Sequence, residues 1–161
     1  TAVGKYPVEA VITLDKVART TEAASSSGGY RGRKGDLEVS ISTAISHAAA
    51  SIVADCEVDV IVTMTHSGIT ARGVSRYRPM TRIVALSPLL STCRALQLVW
   101  GIMPIHVEQM PNTDDMIVLA EKLLLNNNIV TKGDYFVLTA GIPIGQTGST
   151  NLLKVQRVGY V

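Results

Sequence analysis

The stretch that decides the fold is Val58-Asp-Val-Ile-Val-Thr-Met-Thr-His-Ser-Gly-Ile-Thr70. Its apolar first half, up to Thr63, predicts a buried β-strand. The strand opens into a loop of hydroxyl side chains around one glycine, and Ile69–Ser75 then predicts a short helix. Hydroxyls and free backbone N–H groups at such a junction form a ready anion site. The alternative is an ordinary turn, since these residue types often follow a strand for that reason alone.

The charge pattern after this loop favours anion binding. Between Asp59 and Glu108 there is no acidic residue, whereas arginine recurs, and the net charge of the whole chain is only +2. We expect a phosphate to be held by Thr65, His66, Ser67, Gly68, Ile69 and Thr70, with Arg72 and Arg78 as supporting basic residues. A solvated or interface surface is the competing explanation for the neighbouring arginines, Arg76 and Arg82.

Composition excludes several classes of protein. With 161 residues, 47% of them hydrophobic, the chain is expected to form a single domain over 1–161 with a sizeable core. One Phe and one Trp offer no base-stacking platform, so no nucleic acid is expected as a partner. No apolar run reaches the roughly 20 residues of a membrane span, and no secretory signal is visible, so we expect a cytoplasmic protein. Cys56 and Cys93 have neither metal-ligand spacing nor disulfide density, which predicts two buried or semi-buried, reduced thiols. We expect neither a metal nor a cofactor in this chain.

The order of elements predicts the architecture. Helices are expected over 6–24, 36–53, 69–75 and 88–98 and from 113, with Asp36 and Thr113 as caps, and 25–35 reads as a flexible Gly/Ser loop. Strands are expected over 58–63, 83–87, 102–107, 135–139 and 152–158. Alternating strands and helices predict an α/β three-layer sandwich: a five-stranded, mostly parallel sheet with helices on both faces. The connection into the last strand holds no helix, so that strand should be antiparallel and at an edge.

This order also predicts a pocket. Ligands of such sheets bind beyond the carboxyl ends of the strands. If the first and fourth strands are parallel neighbours, the loops that follow them, 65–70 and 141–149, lie at the same end of the sheet. They would then form two walls of one pocket.

Several motifs resemble those of pyruvate kinases, in the order of that family. Thr1-Ala-Val-Gly-Lys-Tyr-Pro-Val-Glu-Ala-Val11 resembles the segment by which the family leaves its catalytic barrel. Thr65-His-Ser-Gly-Ile-Thr-Ala-Arg72 and Ser75-Arg-Tyr-Arg-Pro79 resemble its effector phosphate loop and the helix behind it. Lys132-Gly-Asp134 and Gly141-Ile-Pro-Ile-Gly-Gln-Thr-Gly-Ser-Thr-Asn151 resemble its last strands and loop. The resemblance runs from Thr1 to the end and covers only the C-terminal regulatory domain of that enzyme.

The resemblance implies a function without catalysis in this chain. The family's catalytic residues, and the sites for its Mg²⁺ and usually K⁺, lie in the barrel, so we expect no catalytic residue and no metal site here. An effector loop at Gly145, Gln146, Thr147 and Gly148 would close over a phosphorylated effector, or a sulfate or phosphate ion. Expected partners are the barrel of the same polypeptide and further copies of the chain, paired through Leu152–Val158 within a homotetramer. The chain opens inside a family motif, which implies an excised or cleaved domain.

One departure from the family pattern bears on the effector. Members that respond to fructose 1,6-bisphosphate commonly hold its second phosphate with an arginine, and the matching position falls at or beside Met116. Asp114 and Asp115 lie next to it, so a second phosphate would be repelled. The sequence therefore favours a monophosphate, such as a sugar monophosphate or AMP.

Two other classes of function stay open at this point. The chain would be a stand-alone small-molecule-binding protein if it had this fold without a barrel. A small phosphatase or other enzyme using Cys93 or His66 is the weakest alternative, because no partner base is visible.

Overall fold

The computed structural model describes residues 3–24, 40–143 and 150–160. The chain divides into two compact units, Thr1–Arg31 and Gly32–Val161, and each is described by itself. The loop expected at 25–35 lies outside the described residues, and the single domain expected over 1–161 stays a prediction.

The described part of the first unit, residues 3–24, contains one helix, α1 (Pro7–Ala24). Pro7 suits the first helical position because its missing N–H would have no partner there anyway. None of the helix residues is buried within the chain. An ion pair one turn apart, Arg19 Nε to Asp15 Oδ2 at 2.8 Å, lies on its exposed surface.

The second unit is built on a five-stranded sheet. Its strands are β1 (Val60–Met64), β2 (Arg82–Ser87), β3 (Ile102–His106), β4 (Tyr135–Gly141) and β5 (Thr150–Arg157). The order across the sheet is β3-β2-β1-β4-β5. The first four strands are parallel, and β5 is antiparallel to β4 at one edge. The predicted sheet, including its antiparallel edge strand, is confirmed.

Helices cover both faces of this sheet, which confirms the predicted three layers. The helices of the unit are α2 (Ile41–Asp55), α3 (Ile69–Ser75), α4 (Leu90–Leu96) and α5 (Thr113–Asn126). One core joins α5 to the sheet through residues such as Leu124, Val62 and Phe136. On the other face Ala49 of α2 and Val74 of α3 pack against Ile61. The described helices include none long and apolar enough to cross a membrane.

The starts of α2, α4 and α5 differ from the sequence prediction, whereas α3 has the predicted bounds, Ile69–Ser75. α2 begins at Ile41 with Ser40 as its N-cap, accepting from Thr43 N at 3.1 Å, and not at Asp36, which lies outside the described residues. α5 is capped by Asn112, whose Oδ1 accepts from Asp115 N at 2.8 Å. The predicted cap, Thr113, is already helical.

α4 starts later than predicted because Leu89, its N-cap residue, is still extended, with φ −107° and ψ 116°. Pro88 therefore precedes the helix instead of opening it. The helix proper is the seven residues Leu90–Leu96.

Candidate phosphate-binding site

The predicted phosphate loop lies at the point where the strand order reverses. From β1 the chain moves to β2 and β3 on one side, and β4 returns to pair with the other side of β1. Because β1 and β4 are parallel neighbours, the loops after them leave the same end of the sheet. Ligand sites of open α/β sheets occur at such a switch point.

Hydrogen bonds fix the loop that follows β1. Thr65 N donates to Leu86 O of β2 at 2.9 Å, which ties the loop to the sheet. Inside the loop, Gly68 N donates to Thr65 Oγ1 at 2.9 Å. From α4, Thr92 Oγ1 donates to His66 O at 2.8 Å. The loop is thus held by hydrogen bonds to two neighbouring elements, β2 and α4.

Gly68 is required by this geometry. Its φ of +85° lies in the left-handed region, which side-chain-bearing residues rarely adopt. A Cβ at this position would also lie 3.2 Å from Leu96 Cδ2. The glycine therefore lets the chain turn from β1 into α3 against the packed α4.

A buried pair of hydroxyls connects the loop to the edge strand. Thr70 Oγ1 and Thr150 Oγ1 are 2.6 Å apart, and the two residues are only 8% and 2% exposed. Ser42 Oγ of α2 donates to Thr150 O at 3.4 Å. Thr150 thus joins three elements, α2, α3 and β5. This contact spans 80 positions, and nothing in the sequence indicated it.

The loop groups differ in how they face solvent. The Ser67 side chain is exposed and His66 is half-buried, whereas Thr65 is buried with its oxygen accepting from Gly68 N. The N–H of Gly68, which we expected to face the anion, thus donates inside the loop. Because that bond uses only the oxygen of Thr65, the hydroxyl proton stays available for a ligand.

The two predicted supporting arginines lie at different places along α3 and the turn that follows it. Arg72 is exposed one turn into α3, close to the loop in sequence. Arg78 follows the other end of α3, where its guanidinium lies over the Trp100 ring at 5.3 Å. Ser75 Oγ donates to Trp100 O at 2.7 Å at the same place. Since α3 runs from the carboxyl end of the sheet toward its amino end, Arg78 follows the end of the helix that points away from the loop.

The second loop predicted to line the pocket, residues 141–149, is described only over 141–143. The effector-loop residues Gly145, Gln146, Thr147 and Gly148 lie outside the described residues. Where the chain is described on either side, Asn151 Oδ1 accepts from Ile142 N at 2.8 Å and Asn151 Nδ2 donates to Ile142 O at 2.6 Å. This pair of hydrogen bonds fixes the separation of the two chain segments that flank the loop. This role of Asn151 was not predicted from the sequence, although a side-chain amide can pair with both the N–H and the C=O of a peptide.

The two histidines outside the loop and Cys93 make separate contacts, whereas Cys56 is exposed and not buried as expected. His47 is exposed with its ring 5.2 Å from that of Tyr77, and His106 Nε2 is 3.2 Å from Pro88 O. Cys93 is buried, which raises the pKa of its thiol, and its Sγ lies 3.9 Å from Ser87 O. Among the described residues, no three His, Cys, Asp or Glu side chains come together as a metal ion would require.

Met116 also differs in role from its sequence interpretation. It is only 4% exposed and belongs to the buried side of α5. An arginine here would have to bury its charge, so the position offers no simple contact for a second phosphate. The exposed carboxylates of the first turn, Asp114 and Asp115, remain as the groups that a ligand at this end of the sheet would meet.

A shallow depression of about 520 Å³ lies elsewhere, near the amino end of β1. Its lining includes Cys56, Glu57, Asp59 and Met80. Thr81 Oγ1 donates to the carbonyl of Asp59, and Asp59 Oδ2 accepts from Tyr135 N at 3.3 Å, so this carboxylate is used in joining strands. The depression is thus at the opposite end of the sheet from the phosphate loop.

Comparisons with known proteins agree with this fold. The sequence model of the family described as "Pyruvate kinase, alpha/beta domain" matches residues 43–156. A pyruvate kinase of Clostridium acetobutylicum is 38% identical over 96% of this chain and 33% of its own length. One of Staphylococcus saprophyticus is 38% identical over 99% of this chain and 27% of its own length.

A solved structure of Cryptosporidium parvum pyruvate kinase in complex with ADP matches with a TM-score of 0.69 and 27% identity. The match covers 76% of this chain and 25% of that one. The chain thus spans a third or less of the length of the curated relatives named above. It belongs to the pyruvate kinase family, within which it corresponds to the C-terminal α/β domain.

Proposed function

We propose that this chain is the effector-binding and oligomerisation domain of a pyruvate kinase, and that it regulates a catalytic barrel in the same polypeptide. The barrel would convert phosphoenolpyruvate and ADP into pyruvate and ATP in glycolysis, using Mg²⁺ and K⁺ at sites outside this chain. The observation that carries the proposal is the buried Thr70–Thr150 hydroxyl pair at 2.6 Å. It connects the loop where a phosphate would bind to the edge strand where another copy would pair.

The loop supplies the donors that a phosphate needs. A phosphate dianion only accepts hydrogen bonds, so each hydroxyl has to present its proton. Ser67 is exposed, and Thr65 uses only its oxygen inside the loop. For Thr70 the proton is free when Thr150 is the donor of the pair. Phosphate binding would therefore orient the pair so that Thr150 donates to Thr70 and Thr70 donates to the phosphate.

The charge distribution favours one phosphate over two. Arg72 is the exposed cation nearest in sequence to the loop. The carboxylates of Asp114 and Asp115, in the first turn of α5, belong to the same end of the sheet as the loop. A ligand that extended a second phosphate toward α5 would meet their negative charge. We therefore propose a sugar monophosphate or AMP as the effector.

Calorimetric titration of the chain tests this binding. Ribose 5-phosphate, AMP or glucose 6-phosphate should bind at least as well as fructose 1,6-bisphosphate. Ser67→Ala should weaken binding about tenfold, since a hydrogen bond to a charged group contributes roughly 1.5–3 kcal/mol. A clear preference for the bisphosphate contradicts the monophosphate proposal, and an unchanged affinity in Ser67→Ala means that the site lies elsewhere.

A double-mutant cycle tests the role of Thr150. Thr150→Val should weaken monophosphate binding several-fold, and Thr150→Ser should restore it because the hydroxyl returns. In a Thr70→Val background, Thr150→Val should have no further effect, since Thr150 acts through Thr70. Additive losses in the double variant would show that Thr150 contributes by a separate route.

The edge strand β5 is the surface that we propose for pairing with another copy. Val155 is 44% exposed at this edge. Two copies of β5 related by a two-fold axis would give a closed, self-complementary contact, which is one interface of the proposed homotetramer. Val155→Asp should shift sedimentation of the chain toward monomer. A chain that stays monomeric at high concentration, with or without Val155→Asp, removes the support for this interface.

Two further measurements separate this proposal from its alternatives. A barrel encoded upstream in the same reading frame would distinguish a regulatory domain from a stand-alone binding protein. The purified chain should convert no phosphoenolpyruvate and ADP to pyruvate and ATP, because the catalytic groups of the family lie in the barrel. Turnover of this reaction, or of phosphate esters, by the pure chain would contradict the proposal. The cytoplasmic location stays a prediction.

A further inference from the structure

The two edges of the sheet are unequal, and we infer that Pro104 closes the β3 edge to strand addition, so that pairing between copies of this chain can use only β5. This inference concerns the edge opposite the proposed interface, and it does not depend on effector binding. The partner that would otherwise add a strand to the β3 edge is a second copy of the chain. The consequence is that assembly through the sheet ends at a pair.

Two hydrogen bonds establish which backbone groups of β3 face outward. Ile83 N donates to Gly101 O at 3.1 Å, and Val107 N donates to Ser87 O at 3.0 Å. Because backbone groups alternate along a strand, the N–H groups of the residues at 103 and 105 also face β2. The amide nitrogens of Ile102, Pro104 and His106 therefore face the free edge.

This edge offers few donors to an incoming strand. Proline has no N–H, so the central outward position of β3 offers no hydrogen-bond donor. Ile102 N donates back to Val99 O at 3.4 Å, although that bond is long. Within Ile102–His106, His106 is then the outward residue whose N–H is left for a partner. A strand that docked here would leave carbonyls without donors opposite Pro104.

The β5 edge differs at each of these points. Val158 N donates to Asp134 O at 2.9 Å, and Gly133 N donates to Val158 O at 3.0 Å. By the same alternation, Gln156 and Lys154 face β4, while the N–H groups of Leu153, Val155 and Arg157 face outward. The sequence of β5 contains no proline. This edge therefore presents a backbone N–H at each of its three outward positions, although the carbonyl of Arg157 already accepts from Gln156 Nε2 at 3.1 Å.

The difference decides what kind of assembly can form. A strand pair between two β5 edges uses the same surface on both copies and leaves no free β5 edge. Pairing of β5 on one copy with β3 on the next would leave both end edges free, so growth would continue as an open chain. Exposed edge strands carry this risk, and β3 adds an apolar side chain, Met103, that is 39% exposed. Pro104 removes the backbone donor that such growth requires.

Substitution of the proline tests the inference. Pro104→Val restores the N–H with a residue that favours strands, at a half-buried position in register with Ala85. We expect the average mass of the variant in sedimentation velocity to exceed that of the parent, and to go on rising with concentration beyond a dimer. Pro104→Ala, which is smaller, serves as a second variant if Pro104→Val does not fold.

A second substitution shows which edges take part. In Pro104→Val combined with Val155→Asp, growth beyond a dimer should disappear, because a chain with one working edge forms no more than a pair. Folded Pro104→Val and Pro104→Ala that sediment like the parent at every concentration would overturn the inference. Growth beyond a dimer that persists in the double variant would also overturn it, since the edges would then not be the cause.

Discussion

Thr63→Val should stabilise the protein, because it removes a buried hydroxyl from β1, the strand that leads into the phosphate loop. Thr63 lies in β1, 0% exposed, and its Oγ1 has no hydrogen-bond partner among the described residues. A buried polar group without a partner costs about 1–3 kcal/mol, and valine replaces the hydroxyl by a methyl group of similar shape. For a chain of this length each kcal/mol corresponds to roughly 2–4 °C in Tm, so we expect a rise of about 2–12 °C.

Thermal and urea unfolding followed by circular dichroism measures this change. The matched control is Thr139→Val, because Thr139 is the β4 partner of Thr63 in register and is equally buried. Its Oγ1, however, donates to Val62 O at 3.5 Å, so the same substitution should gain less. If Thr63→Val is no more stable than the parent, or gains no more than the control, the hydroxyl of Thr63 has a compensating partner and the reasoning is wrong.

Two further predictions concern a helix cap and the thiols. Asn112→Ala should lower the free energy of unfolding by about 1 kcal/mol in urea titration, since its side chain caps α5 by accepting from Asp115 N; an unchanged value would show that the cap is not needed. Burial raises the pKa of the Cys93 thiol in the folded state, so its contribution to stability is fully present below the ordinary thiol pKa and is lost as pH rises above it. The alkaline loss of stability should shrink in Cys93→Ala, and thiol reagents should label the exposed Cys56 well before Cys93; equal labelling rates would contradict the burial.

Periodicity and connection length were sufficient to predict the sheet. The apolar run before Thr65 predicted a buried strand, and the absence of a helix before β5 predicted an antiparallel edge. Helix starts were less predictable, because several polar residues near each start can act as caps and only packing selects one. Asn112 rather than Thr113 caps α5 in this way.

The candidate site was predictable as a loop but not as a network. The sequence placed hydroxyls around Gly68, yet Thr150 pairs with Thr70 only because β5 returns beside α3. Arg78 differs from its predicted place for a related reason. Closeness to the loop in sequence implied closeness in space, but α3 takes the chain to the other end of the sheet, where Arg78 lies over Trp100. A charge pattern along the chain therefore has to be read together with the direction of the helix that carries it.

The same network limits how strongly a phosphate could act on the β5 edge. The hydroxyl of Thr150 contacts that of Thr70 at 2.6 Å, whereas Ser42 of α2 donates to the backbone carbonyl of Thr150 at 3.4 Å. A neutral hydrogen bond contributes about 0.5–1.5 kcal/mol, so the one bond between the loop and β5 supplies a coupling free energy of roughly that size. That range corresponds to about a 2–12-fold change in affinity, which is at the lower end of the usual coupling between two sites. By reciprocity, pairing through β5 should raise the affinity of the loop for phosphate by the same factor.

Calorimetry tests this linkage by measuring the phosphate affinity of the parent and of Val155→Asp at matched protein concentrations. The concentrations should lie above and below the value at which the pair of chains dissociates. Equal phosphate affinities in the paired and separated chains would mean that Thr150 joins the elements without linking their functions.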